Sequence, residues 1–137
     1  MKIFTDTGRP GPGRELALLL LRVTFGAALL GAHGWGKLTG FAERAGRFPD
    51  PLGVGSEVSL GLTVFAEVFC ALALILGIAA RPAAAVMTVF FTVVFFVYHG
   101  GDPFGEREKA FLFLAASLVL LLTGPGRYSL GKLLRRR

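Results

Sequence analysis

The stretch Leu16–Leu38, LALLLLRVTFGAALLGAHGWGKL, decides the fold. A hydrocarbon core about 30 Å thick needs roughly 20 mostly apolar helical residues, and this run supplies them. Three ionisable groups interrupt it: Arg22, His33 and Lys37. With Gly26 and Leu29 they are spaced by 4, 3, 4 and 4, so all five fall on one stripe of a helix. An ionisable side chain inside a membrane costs several kcal/mol, about 2.5–3.5 even on insertion scales. Such a stripe therefore faces a protein interior rather than lipid, and its small residue lets a neighbouring helix approach closely. Lys37, near the outer end, can alternatively snorkel to the interface.

Three further stretches extend the pattern outward. Val58–Ala80, Ala83–His99 and Lys109–Thr123 meet or approach spanning length, the last two being short enough to call for tilt or local thinning. Pro49, Asp50 and Pro51 separate the first pair, Arg81-Pro82 makes a tight hairpin, and Gly100–Gly105 separates the third helix from the fourth. Gly124-Pro125-Gly126 ends the set. The expected fold is all-α, an integral membrane four-helix bundle with both termini cytoplasmic. Residues 1–13 read as a flexible leader, 14–126 as the helical domain and 127–137 as a basic cytoplasmic tail. The first apolar run does not read as a cleavable signal peptide, because it carries Arg22 and lacks a small-residue cleavage site.

Composition agrees. Hydrophobic residues make up 53% of the 137, and 18% are charged, against roughly 25% in an average soluble domain. Orientation follows from the cations. Nine of them (Lys2, Arg9, Arg14, Arg81, Arg127, Lys132 and Arg135–Arg137) would share one side. The other side would hold Arg44, Arg47, Arg107, Lys109 and Lys37 with six acids, so the richer side is cytoplasmic and the membrane is the inner, cytoplasmic one. The net charge of +6 is concentrated in the tail, which reads as a topology signal and an anionic-lipid contact, not a nucleic-acid surface. The single cysteine, Cys70, excludes an internal disulfide and reads as a small buried residue.

The candidate site is the buried polar cluster: Arg22, His33, Lys37, Glu67 and His99. Counting from the cytoplasmic ends, Arg22 lies roughly 9 Å deep, Glu67 roughly 20 Å, His33 roughly 25 Å and His99 roughly 24 Å. An Arg22–Glu67 pair across the first two helices is the first expectation, structural or functional; a neutral Glu67 would instead donate a hydrogen bond. The shared depth of the two histidines admits a bis-histidine haem. Zinc lacks a third strong ligand. Phe90, Phe91, Val94, Phe95 and Tyr98 form an aromatic and apolar face, suited to lipid, to helix contacts or to one wall of a cleft for a flat apolar molecule.

The segment Arg22–Phe41, RVTFGAALLGAHGWGKLTGF, resembles the first helix of the DoxX family of small bacterial membrane proteins. Glu67 followed by Leu76-Gly77 and Arg81 is similar to that family's second helix and turn, and Gly124-Pro125-Gly126 with Ser129 to its close. The resemblance implies a four-helix membrane bundle, with any family site falling on Arg22, His33, Lys37 and Glu67. The family name is tied to a subunit of a thiosulfate:quinone oxidoreductase, which implies a quinone as ligand and a redox partner protein. Related quinone-linked disulfide enzymes carry cysteine pairs that are absent here. The functional expectation is a membrane subunit of a redox system that binds a quinone or similar apolar molecule at the polar cluster. The alternatives are a non-catalytic anchor or assembly partner, and a transporter or channel subunit that would have to oligomerise.

Overall fold

The computed structural model describes residues 10–137. Most of the expected leader, with Lys2 and Arg9, lies outside the described residues. The described residues are helical, with no strand among them. Four long helices dominate: α1 over Pro12–Thr39, α3 over Ser56–Leu76, α4 over Ala80–Tyr98 and α5 over Phe104–Thr123. A single turn, α2 at Phe41–Arg44, follows α1, and a short helix, α6 at Leu130–Arg135, follows α5. By length and composition α1, α3 and α4 are each able to cross a membrane.

The boundaries have local causes. Pro12 sits in the first turn of α1, where its missing N–H leaves nothing unpaired. The sequence placed the end of the second helix at Ala80; it ends at Leu76, because Gly77 turns left-handed at φ 72°. Ile78 N–H then reaches Ala73 O at 3.0 Å and Gly77 N–H reaches Leu74 O at 3.2 Å, capping the last carbonyls. Pro82 is consequently in the first turn of α4 rather than opening it. Helix α5 starts five residues before Lys109, since Pro103 opens it and Glu106 favours a helix N-terminus.

Helix α1 packs along α3 and α4 along α5. In a membrane the association of helices depends on close van der Waals fit rather than on expelling water. The shared core joins Phe25 and Leu29 of α1, Cys70 and Leu74 of α3, Ala84, Met87 and Phe91 of α4, and Leu120 of α5. The rings of Phe25, Phe91 and Phe113 meet with centroids 5.2–6.3 Å apart. A Cβ on Gly26 would fall 2.9 Å from Ala71 O, and one on Gly34 2.5 Å from Glu67 O. These two glycines bring the α1 and α3 backbones together.

Each of the three helices able to cross a membrane by length and composition contains one π-helical turn: Leu30–Gly34 in α1, Phe65–Cys70 in α3 and Val94–Tyr98 in α4. A π turn holds one residue more than an α turn and shifts the face presented beyond it. The α1 and α3 turns touch each other. They carry His33 and Glu67 respectively.

Candidate functional site

The π turn of α3 aims Glu67 toward α1, where Lys37 Nζ donates to Glu67 Oε2 at 2.6 Å. Lys37 Nζ also lies 3.4 Å from the His33 carbonyl oxygen one turn earlier. The Glu67 side chain is 7% exposed and that of Lys37 20%. The lysine therefore comes from the C-terminal end of α1 and reaches back toward the bundle, its stem covering apolar surface. Gly34 makes this possible, being flush against the Glu67 backbone.

Beside the pair a cleft of about 440 Å³ opens between α3 and α4. Both Lys37 and Glu67 line it. Phe90, Val94 and Tyr98, spaced by four along α4, form one wall, and Leu62 and Phe65 of α3 face them. Phe91 and Phe95, which the sequence grouped with this wall, are instead buried between helices at 3% and 8% exposure. The loop Phe48–Leu52 closes one end. Asp50 pins that loop: it accepts from Val54 N–H at 2.9 Å, Gly55 N–H at 2.7 Å and Ser59 Oγ at 2.7 Å. These hydrogen bonds, that from Ser59 foremost, hold the Asp50 carboxyl below the usual aspartate range.

The expected Arg22–Glu67 pair is not formed. Arg22 is 1% exposed and turns the other way, donating to the carbonyl oxygens of Pro125 and, at 2.6 Å, Tyr128. The physical reason is twofold. The estimated separation of Arg22 and Glu67 is roughly 11 Å along the helices, at the limit of an arginine's reach. The turn after α5 meanwhile presents buried carbonyls that need donors. The two histidines are not brought together at the cleft either. His33 sets its ring edge-on to Phe113 at 5.8 Å, and His99 Nδ1 pairs with Asp102 Oδ2 at 2.8 Å. Neither lines the cleft, so the described arrangement gives a bis-histidine haem no common site there. The five candidates thus resolve into a Lys37–Glu67 pair at the cleft, an Arg22 clasp, and two separately engaged histidines.

Glu15 was missed. It is 6% exposed, and its Oε2 accepts from Arg127 N–H at 2.5 Å. Together with Arg22 it clamps the Gly124–Ser129 turn onto α1, so the expected boundary between helical domain and tail runs through a packed turn. The signal was available, because Glu15 precedes Arg22 by seven residues, two helical turns, and so shares its face. The π turns and the Phe48–Leu52 closure left no readable signal.

Comparison with known proteins identifies the family of the chain. A sequence model of the DoxX family matches residues 17–100, which include most of α1, all of α3 and α4, and both members of the Lys37–Glu67 pair. The inner membrane protein YqjF of Escherichia coli is 28% identical over 129 residues, covering 90% of this chain and 95% of the relative. An uncharacterized protein of Haemophilus influenzae is 23% identical over 138 residues, covering 96% and 91%. No solved structure matches. With more than half its length matched by the family and three helices able to span a bilayer, the chain belongs to the DoxX family and is a multi-pass inner membrane protein.

Proposed function

We propose that this protein binds a quinone or a similar flat apolar molecule in the cleft between α3 and α4, as the small membrane subunit of a redox system. The observation that carries the reading is the Lys37–Glu67 pair set in the wall of a mostly apolar 440 Å³ cleft. Small-molecule sites are commonly of this size and kind, apolar with a few convergent polar groups. A quinone ring would lie against Phe90 and Tyr98. Lys37 would donate a hydrogen bond to a carbonyl oxygen, and Glu67 would hold or pass a proton as the ring oxygen gains or loses one. Reduction of the quinone to quinol takes two electrons and two protons; the electrons come from a redox partner protein or a soluble donor.

In this reading α5 is the fourth crossing, through its apolar part from Ala110 to Thr123. Both termini are cytoplasmic, as the bias of cations toward Arg14, Arg81 and the tail favours. The helical bundle forms one domain. Lys37, Glu67 and the cleft then lie toward the outer half of the membrane.

A second reading, a non-catalytic assembly partner, alone or as a homo-oligomer, draws on the Arg22 and Glu15 clasp. There two buried charges serve architecture alone. Mass-spectrometric analysis of organic extracts from the purified protein and its Glu67→Gln variant separates the two. Near-stoichiometric quinone in the parent and depletion in the variant is the expected result. Quinone at the level of the bulk lipid in both would refute the ligand reading and favour the assembly role.

A further inference from the structure

The opposite end of the molecule carries a second concavity, of about 380 Å³, between the α1–α3 pair and the segment leading into α6. Its lining is divided by chemistry. Leu19, Ile75 and Leu133 give apolar walls, and Arg22, Arg127, Lys132 and Arg136 give four cations with no acid among the lining residues. Arg22 forms part of the groove at 1% exposure and spends both terminal nitrogens on carbonyl oxygens, while its Nε has no acceptor. Its charge is met only by neutral dipoles. Glu15, a buried acid two turns before Arg22 on the same helix, is occupied by Arg127 N–H and Arg14. Arg127, Lys132 and Arg136 form no ion pair among the described residues. The groove is held open by structure: Gly131 N–H donates to Gly77 O at 3.2 Å, and a Cβ on Gly77 would strike Ser129 at 2.5 Å, so the α6 segment is seated on the α3–α4 turn.

We propose that this groove is a binding site for one anionic phospholipid, its phosphate lying among Arg127, Lys132 and Arg136 above the buried Arg22, and its acyl chain against Leu19 and Ile75. The argument is charge complementarity joined to an apolar channel, which a phosphate diester on a hydrocarbon tail matches and a free phosphate does not. A basic tail alone would attract any anionic surface diffusely; here the positions that line the groove differ from those that do not. Arg135 and Arg137 carry the same charge and lie outside the lining. The inference is independent of what occupies the Lys37–Glu67 cleft.

The test uses the full chain reconstituted in vesicles of equal phosphatidylglycerol and phosphatidylcholine, extracted in mild detergent and weighed by native mass spectrometry. One-to-one phosphatidylglycerol adducts should exceed phosphatidylcholine adducts at least tenfold. Each cation near the lipid surface is worth roughly fivefold, so Arg127→Gln/Lys132→Gln/Arg136→Gln should remove that preference, while Arg135→Gln/Arg137→Gln keeps most of it. All five side chains are exposed, so neither variant removes a buried contact. If the triple variant still fails to fold, Lys132→Gln alone should lower the preference about fivefold. Equal retention of both lipids by the parent would overturn the proposal, as would equal loss in the two multiple variants. Displacement of the lipid by millimolar inorganic phosphate would assign the site to free phosphate instead.

Discussion

Gly34→Ala gives the sharpest test of how α1 and α3 are held. A Cβ at position 34 would stand 2.5 Å from Glu67 O, 2.8 Å from Glu67 C and 2.9 Å from Val68 Cγ2. Carbon contacts are comfortable at about 3.5–4.0 Å, so α1 must retreat by roughly 1 Å. Because two of the three obstacles are backbone, no side-chain rotation relieves the clash. Overpacking of this kind costs about 1–3 kcal/mol, and the helix-propensity gain of Ala over Gly returns at most about 1 kcal/mol. Gly36→Ala is the matched control: two residues on, on the same helix, its Cβ meets nothing within 4 Å. It should be neutral or stabilising by up to about 1 kcal/mol. The two variants should therefore differ by about 1–3 kcal/mol in unfolding monitored by circular dichroism in detergent. The 2.6 Å Lys37–Glu67 contact, one turn beyond Gly34, should loosen in step. If Gly34→Ala proves as stable as Gly36→Ala, the two backbones do not meet as described, and the geometry of the cleft wall goes with them.

Three other outcomes follow from particular contacts. Lys37→Met strips a mostly buried carboxylate of its cation and should destabilise by about 1–3 kcal/mol, with Lys37→Met/Glu67→Gln recovering part of the loss; a double-mutant cycle reads the coupling, and additive effects would deny the pair. Glu15→Gln removes a charge-assisted bond to Arg127 N–H, worth about 1.5–3 kcal/mol, and should speed tryptic cleavage after Arg127. For Asp50 the folded carboxyl titrates below its unfolded value near 3.9, so its contribution is complete above about pH 4 and is lost as pH falls through the lower folded value. Protection of the Val54 and Gly55 amides, taken against the intrinsic exchange rate at each pH, should thus fall below pH 4, and in Asp50→Ala it should be low at every pH.

How much of this was legible in the sequence depends on which force wrote it. Helices had to be long and apolar to lie in lipid, so Leu16–Leu38 and the Glu67 segment announced themselves, and the lone polar residues within them stood out as buried. Pairing was another matter. Arg22, Lys37 and Glu67 were singled out as a cluster, but depth along a helix does not say which way a long side chain leans, and Arg22 leaned toward unpaired carbonyls instead of toward the carboxylate. Glu15 was overlooked because it sits at the edge of an apolar run, where an acid reads as solvated. Helix α5 began early because the charged turn Glu106–Lys109 looks like a loop to a hydropathy count, though a helix N-terminus welcomes its acids. Phe91 and Phe95 fell on the core side of α4 and Phe90 and Tyr98 on the cleft side, a division a list of aromatic residues cannot make once a π turn has changed the period.

Those π turns bear on how the gene can change. An α-helix in a bundle tolerates substitution on its lipid face but is usually intolerant of gain or loss of one residue, because about 100° of rotation follows. Here α1, α3 and α4 each carry one residue in surplus. Removing a single residue from Leu30–Gly34 would return α1 to regular winding with Lys37 still on the face toward Glu67 and drawn only about 1.5 Å along the axis, whereas the same deletion in a regular stretch would swing it about 100° away. Relatives aligned across this region should accordingly tolerate isolated one-residue gaps within the π turn while keeping the lysine and the glutamate, and a gap in the regular stretches on either side should coincide with a change at one of the two.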